Sequence, residues 1–139
     1  MSREHLWERL SPDVIHIWNT LGYRSAGETD GVVALEWDAG DEYSFLHGDR
    51  RVVHGGMVAT LLDTSMGYVC VSRLPEGQAF LTADLHVEFY RVAAPGTLRA
   101  EAEVVHQSRR AFFCAASLYD AERALLASAR CTQIVREAS

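Results

Sequence analysis

The chain has 139 residues, which suits one domain able to bury a core without disulfides or metals. A hydrophobic fraction of 48%, a charged fraction of 23% and a net charge of −6 exclude a membrane-spanning chain and disfavour one that grips nucleic-acid phosphates. The polar N-terminus leads into no apolar signal segment, so we expect a single cytoplasmic domain over residues 1–139, with no membrane or nucleic-acid partner.

The first predicted element is an N-terminal helix. Ser11 can cap it, Pro12 suits its first position and Asp13 complements its dipole. Apolar residues then recur at helical spacing as far as Gly22, a typical helix end. We therefore expect a helical extension over about residues 1–22.

The apolar period then changes from helical to two, which is typical of strands. Alternation over residues 33–37 predicts a half-buried strand, and Asp30-Gly31 marks a hairpin turn before it. Aromatic residues at 43 and 45 predict another short strand. Residues 47–53 are charged and contain glycine, and we interpret them as a loop.

The longest predicted helix covers residues 55–73 and ends before Pro75. Its apolar stripe consists of Met57, Val58, Leu61, Leu62, Met66 and Val69. Strand-like runs follow over residues 78–91, 98–107, 111–119 and 124–135, and the short turns between them imply antiparallel pairing. The predicted class is α+β, with one long helix packed against an antiparallel sheet of five to six strands.

The first of these four runs alternates along its length, which assigns its side chains to two faces. We expect one face to carry Leu81, Ala83, Leu85, Val87 and Phe89. The polar residues Asp84, His86 and Glu88 then lie on the outward face, where they meet water or another subunit.

A second stripe on the long helix carries Gly56, Thr60, Asp63 and Gly67. Its small residues suit a contact surface better than open solvent. A glycine inside a helix is less stable than alanine by about 1 kcal/mol, so Gly67 predicts close approach of another backbone or a ligand.

The start of this helix and its carboxylate are too far apart to act together within one chain. Free N–H groups at Gly55 and Gly56 can point at an oxyanion or a polarised carbonyl. Asp63 lies roughly 12 Å further along the axis, from a rise of about 1.5 Å per residue. If both groups act on one substrate, Asp63 must come from a second copy of the chain.

Three segments carry a resemblance to a known family. They are His54-Gly55-Gly56 with Asp63 nine residues after the histidine, Thr82-Ala83-Asp84-Leu85, and Gln107-Ser108-Arg109-Arg110. Together they resemble the hotdog-fold thioesterases, in particular the PaaI-like and thioesterase-superfamily-member-2 group, over about residues 45–136. The resemblance implies a helix wrapped by an antiparallel sheet, paired as a homodimer and often as a homotetramer.

The resemblance also implies an activity, the hydrolysis of acyl-CoA thioesters, with coenzyme A part of the substrate and no cofactor or metal. It implies that the Gly55 N–H polarises the thioester carbonyl and that His54 shapes the helix entrance. Asp63 of the neighbouring subunit is then general base or nucleophile, and Thr82 orients the water or the carboxylate. The residues implied to contact the substrate or its coenzyme A are Gly56, Arg91, Ser108, Arg109 and Arg110.

One position departs from the family pattern, which places an asparagine six residues before the histidine. Here that position is Gly48, and His47 or Asp49 is the candidate to take over its role. A metal site built on His47 and His54 has loose spacing and no third ligand.

Two alternatives remain open from the sequence. A hotdog hydratase or dehydratase needs a catalytic histidine and acid in another arrangement, and a non-catalytic acyl-CoA sensor is compatible with Gly48. The three cysteines, Cys70, Cys114 and Cys131, lie in apolar stretches and predict buried thiols.

Overall fold

The computed structural model describes residues 17–137. Its helices are α1 (Ile17–Leu21) and α2 (Gly55–Arg73), with a single 3-10 turn at Asp41–Tyr43. Its strands are β1 (Arg24–Thr29), β2 (Val32–Ala39), β3 (Ser44–His47), β4 (Arg50–Val53), β5 (Gln78–Phe89), β6 (Gly96–Gln107), β7 (Ala111–Tyr119) and β8 (Leu125–Glu137). The predicted α+β class is confirmed.

Six of the strands form one sheet, in the order β1-β2-β6-β7-β8-β5, with every neighbouring pair antiparallel. Helix α2 packs across one face of this sheet and contacts β2, β5, β6, β7 and β8. The core between them is formed by large buried side chains, including Leu61, Leu62 and Met66 of α2 and Leu35, Trp37, Leu98, Phe112 and Leu118 of the sheet. Each such side chain stabilises the fold by roughly 1.5–3 kcal/mol through loss of water contact.

Helix α1 is the end of the predicted N-terminal helix; Ser11, Pro12 and Asp13 lie outside the described residues. The predicted stop at Gly22 is confirmed, because Gly22 has φ +77° and donates its N–H to Trp18 O at 2.8 Å. The Trp18 ring meets Tyr68 of α2 edge-on, with ring centroids 5.1 Å apart. This contact fixes α1 beside the second half of α2.

The hairpin between β1 and β2 turns at Asp30 and Gly31, as predicted. Their φ angles of 52° and 83° are both in the left-handed region, which is typical of the tight turn that joins twisted antiparallel strands.

The predicted loop over residues 47–53 is wrong. Those residues contain the end of β3 and all of β4, which pair as a two-stranded hairpin with Ser44 opposite Val53. The turn falls at Gly48, whose φ is +68°. Each strand of this hairpin has only four residues, so the alternation of apolar and polar residues is too short to distinguish a strand from a loop.

The prediction of which β5 residues share a face is also wrong for the first half of the strand. A bulge lies between Thr82 and Asp84, so that Ala83 is an extra residue relative to β8. Before the bulge Phe80 and Thr82 face α2, while Leu81 is 67% exposed. After the bulge the odd-numbered residues face α2 instead, since the extra residue reverses the alternation.

Within residues 17–137 no helix combines the length and apolar character needed to cross a membrane. The three cysteines are free and buried, as predicted.

Candidate active site

The first turn of α2 contains a backbone donor that has no acceptor in the part of the chain that the structure describes. His54 is the N-cap: its Nδ1 accepts the Gly56 N–H at 3.0 Å, and its carbonyl accepts the N–H groups of Met57 and Val58. Among residues 17–137 the Gly55 N–H has no hydrogen-bond acceptor. One donor therefore remains at the positive end of a 19-residue helix.

This donor opens on a pocket of about 310 Å³, which we call the entrance pocket. Most of its lining is apolar and comes from β4, α2, β8 and the segment after β5, with Phe45, Val53, Val58, Phe89, Val92 and Leu126 among the members. Gly55 and Arg91 also line it. An added Cβ at Gly55 would lie 3.4 Å from the Phe89 ring, an ordinary van der Waals contact.

Asp63 lines a different pocket, of about 210 Å³, which we call the aspartate pocket. Its other members are Trp18, Thr64, Gly67, Tyr68, Val71, Phe80 and Thr82. Asp63 is half-buried, and burial raises the pKa of its carboxyl, partly opposed by the Thr82 hydroxyl 3.5 Å from Oδ1. A carboxylate with a raised pKa is a stronger base than an exposed one.

An added Cβ at Gly67 would lie 3.4 Å from the Phe80 ring, an ordinary van der Waals contact, so nothing within residues 17–137 requires glycine there. The close approach of another backbone or a ligand at Gly67 stays a prediction. Phe80 and Gly67 form one wall of the aspartate pocket.

Gln133 is a site residue that the sequence interpretation missed. It is completely buried on the face of β8 that meets α2. Its Oε1 accepts the Thr82 hydroxyl at 2.9 Å, and its Nε2 donates to Cys131 Sγ at 3.3 Å. The signal was available, because a period of two from Ala127 places this amide on an otherwise apolar face.

The predicted coenzyme A contacts divide between the two ends of β5. Arg91 follows the Phe89 end and lines the entrance pocket. The turn at residues 108–110 lies at the other end, since Arg110 O accepts the Val135 N–H and Val135 pairs with Phe80. Phe80 and Phe89 are separated by nine residues of strand, or roughly 30 Å.

The remaining members of the turn have local contacts. Ser108 closes the turn through hydrogen bonds to Ala111, and Arg109 is exposed. Within one chain, the turn at residues 108–110 therefore lies near the aspartate pocket and far from the Gly55 donor.

His47 is not brought to the Gly55 donor. It ends β3 opposite Arg50 and is not among the residues that line either pocket. Phe45, two residues earlier on β3, has its ring centroid 6.2 Å from that of His54. In the part of the chain that the structure describes, no group of three His, Cys, Asp or Glu side chains could hold a metal ion.

Comparison with known proteins agrees with this geometry. Residues 51–127 match the sequence profile of the thioesterase superfamily. No curated protein matches the chain. Similar solved structures include a thioesterase family protein from Silicibacter pomeroyi, which is 26% identical with a TM-score of 0.80 and covers 96% of this chain and 95% of its own.

Two further structures are similar in fold. A thioesterase from Haemophilus influenzae is 19% identical with a TM-score of 0.84, covering 99% of this chain and 92% of its own. The PaaI protein from the phenylacetic acid degradation operon of Escherichia coli is 21% identical with a TM-score of 0.82, covering 98% and 96%. The hotdog architecture expected from the resemblance is therefore confirmed.

Proposed function

The chain belongs to the thioesterase superfamily, and on this premise we propose that it hydrolyses acyl-CoA thioesters to a free acid and coenzyme A. The observation that carries the proposal is the Gly55 N–H, which has no acceptor among residues 17–137 and opens on an apolar pocket. An acyl group occupies such a pocket while its carbonyl oxygen accepts the N–H.

The Gly55 donor activates the thioester carbonyl. When a nucleophile adds to the carbonyl carbon, negative charge develops on the oxygen, and a fixed donor stabilises that charge more than the neutral ground state. A single donor of this kind lowers the barrier by about 3–4 kcal/mol. The dipole of α2 adds to the effect because the oxygen lies at the helix N-terminus.

Asp63 supplies the second half of the reaction, as general base or as nucleophile. As base, its carboxylate takes a proton from water while the water oxygen bonds to the carbonyl carbon; the C–S bond then breaks and the thiolate takes up a proton. As nucleophile, a carboxylate oxygen attacks the carbonyl carbon and the C–S bond breaks to expel the coenzyme A thiolate, which takes up a proton; water then cleaves the resulting anhydride to the free acid and the Asp63 carboxylate. Thr82 holds the carboxylate or the water through its hydroxyl, which is exposed at the pocket surface.

The two halves meet only if two subunits combine. Gly55 and Asp63 line separate pockets about 12 Å apart along α2. Strand β5 ends the six-stranded sheet, and its outer edge has no partner strand within residues 17–137. An exposed edge of 12 residues is a template for pairing with another chain.

Pairing of β5 with its copy about a two-fold axis is necessarily antiparallel. The Phe89 end of one subunit then lies beside the Leu81 end of the partner. That arrangement brings the Gly55 donor towards Thr82 and Asp63 of the partner subunit. We therefore propose a homodimer as the catalytic unit and a homotetramer of two such dimers.

The same pairing brings the cationic residues to one site. Arg91 lines the entrance pocket, and Arg109 and Arg110 of the partner subunit approach it from the opposite end of β5. Guanidinium groups suit phosphates, so these three residues bind the coenzyme A, with Ser108 and Gly56 beside them. The free thiols suit the reducing cytoplasm, where we expect the protein to act.

A thiol-release assay over aryl-, short-, medium- and long-chain acyl-CoAs tests the proposal, with Asp63→Ala measured in parallel. We expect release of free coenzyme A by the wild type and release at least about a hundredfold slower by the variant. Tight acyl-CoA binding without release would instead identify a sensor. Hydration of an enoyl thioester without thiol release would identify a hydratase.

A further inference from the structure

Gln133 is a fully buried amide directly beneath the aspartate pocket. We propose that Gln133 is a positioning residue, which directs the single hydroxyl proton of Thr82 towards Asp63. The expected effect of Gln133 on turnover rests on the function proposed above. The expected effect of Gln133 on the pKa of the Asp63 carboxyl does not depend on that function.

The inference starts from a conflict at the Thr82 hydroxyl. Its oxygen lies 2.9 Å from Gln133 Oε1 and 3.5 Å from Asp63 Oδ1. A threonine hydroxyl carries one proton and cannot donate to both oxygens. With the amide oxygen facing Thr82 at the shorter distance, the proton goes mainly to Gln133, and the hydrogen bond from Thr82 to an ionised Asp63 is weakened.

Rotation of the Gln133 amide removes the conflict. A half-turn exchanges its oxygen and nitrogen without changing the shape of the side chain. The nitrogen then donates to Thr82, and the Thr82 proton is free to point at Asp63. At the other end of the amide, the rotated oxygen accepts the Cys131 thiol proton. It takes the place of the amide nitrogen, which lies 3.3 Å from Cys131 Sγ in the structure.

In this orientation three donors point the same way along the path Cys131, Gln133, Thr82 and Asp63. Each buried polar atom of the path is satisfied, which a low-dielectric interior requires. The opposite orientation suits a protonated Asp63, which can donate to Thr82 while Thr82 donates to the amide. The orientation with the amide nitrogen towards Thr82 is therefore the one that favours an ionised Asp63.

The burial of Gln133 is hard to explain without such a role. Its neighbours on the same face, Cys131 and Val135, are apolar, and an apolar side chain would avoid the loss of hydration. Among residues 17–137 the hydrogen bonds of the Gln133 side chain go to Thr82 and Cys131. Thr82 is the residue that contacts Asp63, so the amide acts on the carboxyl through it.

Among residues 17–137, the titratable groups that interact with Asp63 are Tyr23, which follows α1, and Cys131 of β8. A hydrogen bond with Cys114, followed by burial, raises the pKa of Cys131, and burial raises the pKa of Tyr23, so both remain neutral while a carboxyl titrates. Within the described residues Asp63 has no ion-pair partner.

The test is a titration of the Asp63 carboxyl carbon by NMR in wild type and Gln133→Met, which keeps the side-chain length but removes the amide. We expect the Asp63 pKa to rise in the variant, because the Thr82 oxygen then accepts no N–H from the amide and its hydroxyl becomes a weaker donor to the carboxylate. In a Thr82→Val background the same substitution should move the Asp63 pKa no further. In the assay, kcat should fall about tenfold with KM unchanged, the effect of losing one hydrogen bond.

Ser65→Ala is the matched control. Ser65 is equally buried but bonds to Leu62 O of its own helix, so the Asp63 titration should not change. If Gln133→Met does not fold, Gln133→Asn replaces it, since its shorter side chain withdraws the amide from Thr82. Unchanged Asp63 titration in the folded variant, or an equal shift with and without the Thr82 hydroxyl, overturns the inference.

The two proposals fail in different ways. A wild type that releases no thiol from any acyl-CoA contradicts the proposed function, while the titration still decides the role of Gln133. A wild type that turns over, with a Gln133→Met carboxyl that titrates normally, contradicts only the positioning role.

Discussion

The two halves of the site on α2 present opposite kinds of chemistry. At the helix start a backbone N–H has no acceptor among residues 17–137 and lies at an apolar pocket of about 310 Å³. Two turns further on, a half-buried carboxylate faces a smaller pocket of about 210 Å³ with aromatic walls and a hydroxyl partner. The Gly55 N–H has no acceptor among residues 17–137, whereas the Asp63 carboxylate has a hydroxyl partner, Thr82, in its own chain.

The Gly55 donor and the Asp63 carboxylate depend on the sequence in different ways. The Gly55 donor belongs to the backbone, so most substitutions leave it in place and affect only access to it. The Asp63 carboxylate is a side chain, and its basicity depends on burial and on Thr82. Variants that remove the carboxylate, remove the N–H or combine the two kinds of subunit therefore test this difference directly.

The largest effect is expected from Asp63→Ala. Loss of the carboxylate removes the base or nucleophile, and we expect thiol release to fall by about 10²–10⁴-fold. Light scattering should show an unchanged assembly, because the residue lines a pocket and makes no ion pair within residues 17–137. Turnover at the wild-type rate would remove Asp63 from the mechanism.

A similar loss is expected from Gly55→Pro. Proline lacks the N–H, suits the first helical position, and follows a residue with φ −55° and ψ 132°, which the position before proline favours. We expect kcat to fall by about 10²–10³-fold with the fold intact.

Gly55→Ala is the control for that substitution. It keeps the N–H and adds only a Cβ 3.4 Å from the Phe89 ring. It should retain far more activity than Gly55→Pro. Equal activity of the proline variant and the wild type in a thiol-release assay would contradict the role of the donor.

Mixing these two inactive variants tests whether the site is shared. After unfolding and refolding together in equal amounts, half of the dimers should contain one Asp63→Ala and one Gly55→Pro subunit. Each such dimer has one intact site, so about a quarter of wild-type activity should return. No recovery, with mixed dimers shown by mass spectrometry, would place both groups in one subunit.

A smaller effect is expected on stability from Asp63→Asn. Burial raises the pKa of the Asp63 carboxyl, so its charged form destabilises the folded state once pH exceeds that raised value. The variant should have the higher Tm at neutral pH. The difference should shrink as pH falls towards the ordinary aspartate value of 3.8. A Tm difference independent of pH in differential scanning calorimetry would contradict this account.

The smallest effect is expected from His54→Ala, which removes the N-cap acceptor of Gly56. Unfolding by denaturant should show a loss of about 1 kcal/mol. His54→Asn, which can cap in the same way, should restore most of it. A loss of turnover far beyond this loss of stability would indicate that the imidazole also contacts substrate.

Local features of the chain were enough to predict much of this fold. The limits of α2, the stop at Gly22 and the turn at Asp30 and Gly31 agree with the structure. Each depends on residues within a few positions of one another, through helical period, capping and backbone conformation. The separation of Gly55 from Asp63 follows in the same way from helix rise.

Tertiary structure alone decided the features that depend on strand pairing. The bulge after Thr82 exists only relative to β8, and it reverses which residues of β5 face α2. That reversal places Thr82 between Asp63 and Gln133, which are 70 residues apart in sequence. A period of two can place Gln133 on an inward face, but only the register of β5 against β8 determines which hydroxyl it meets.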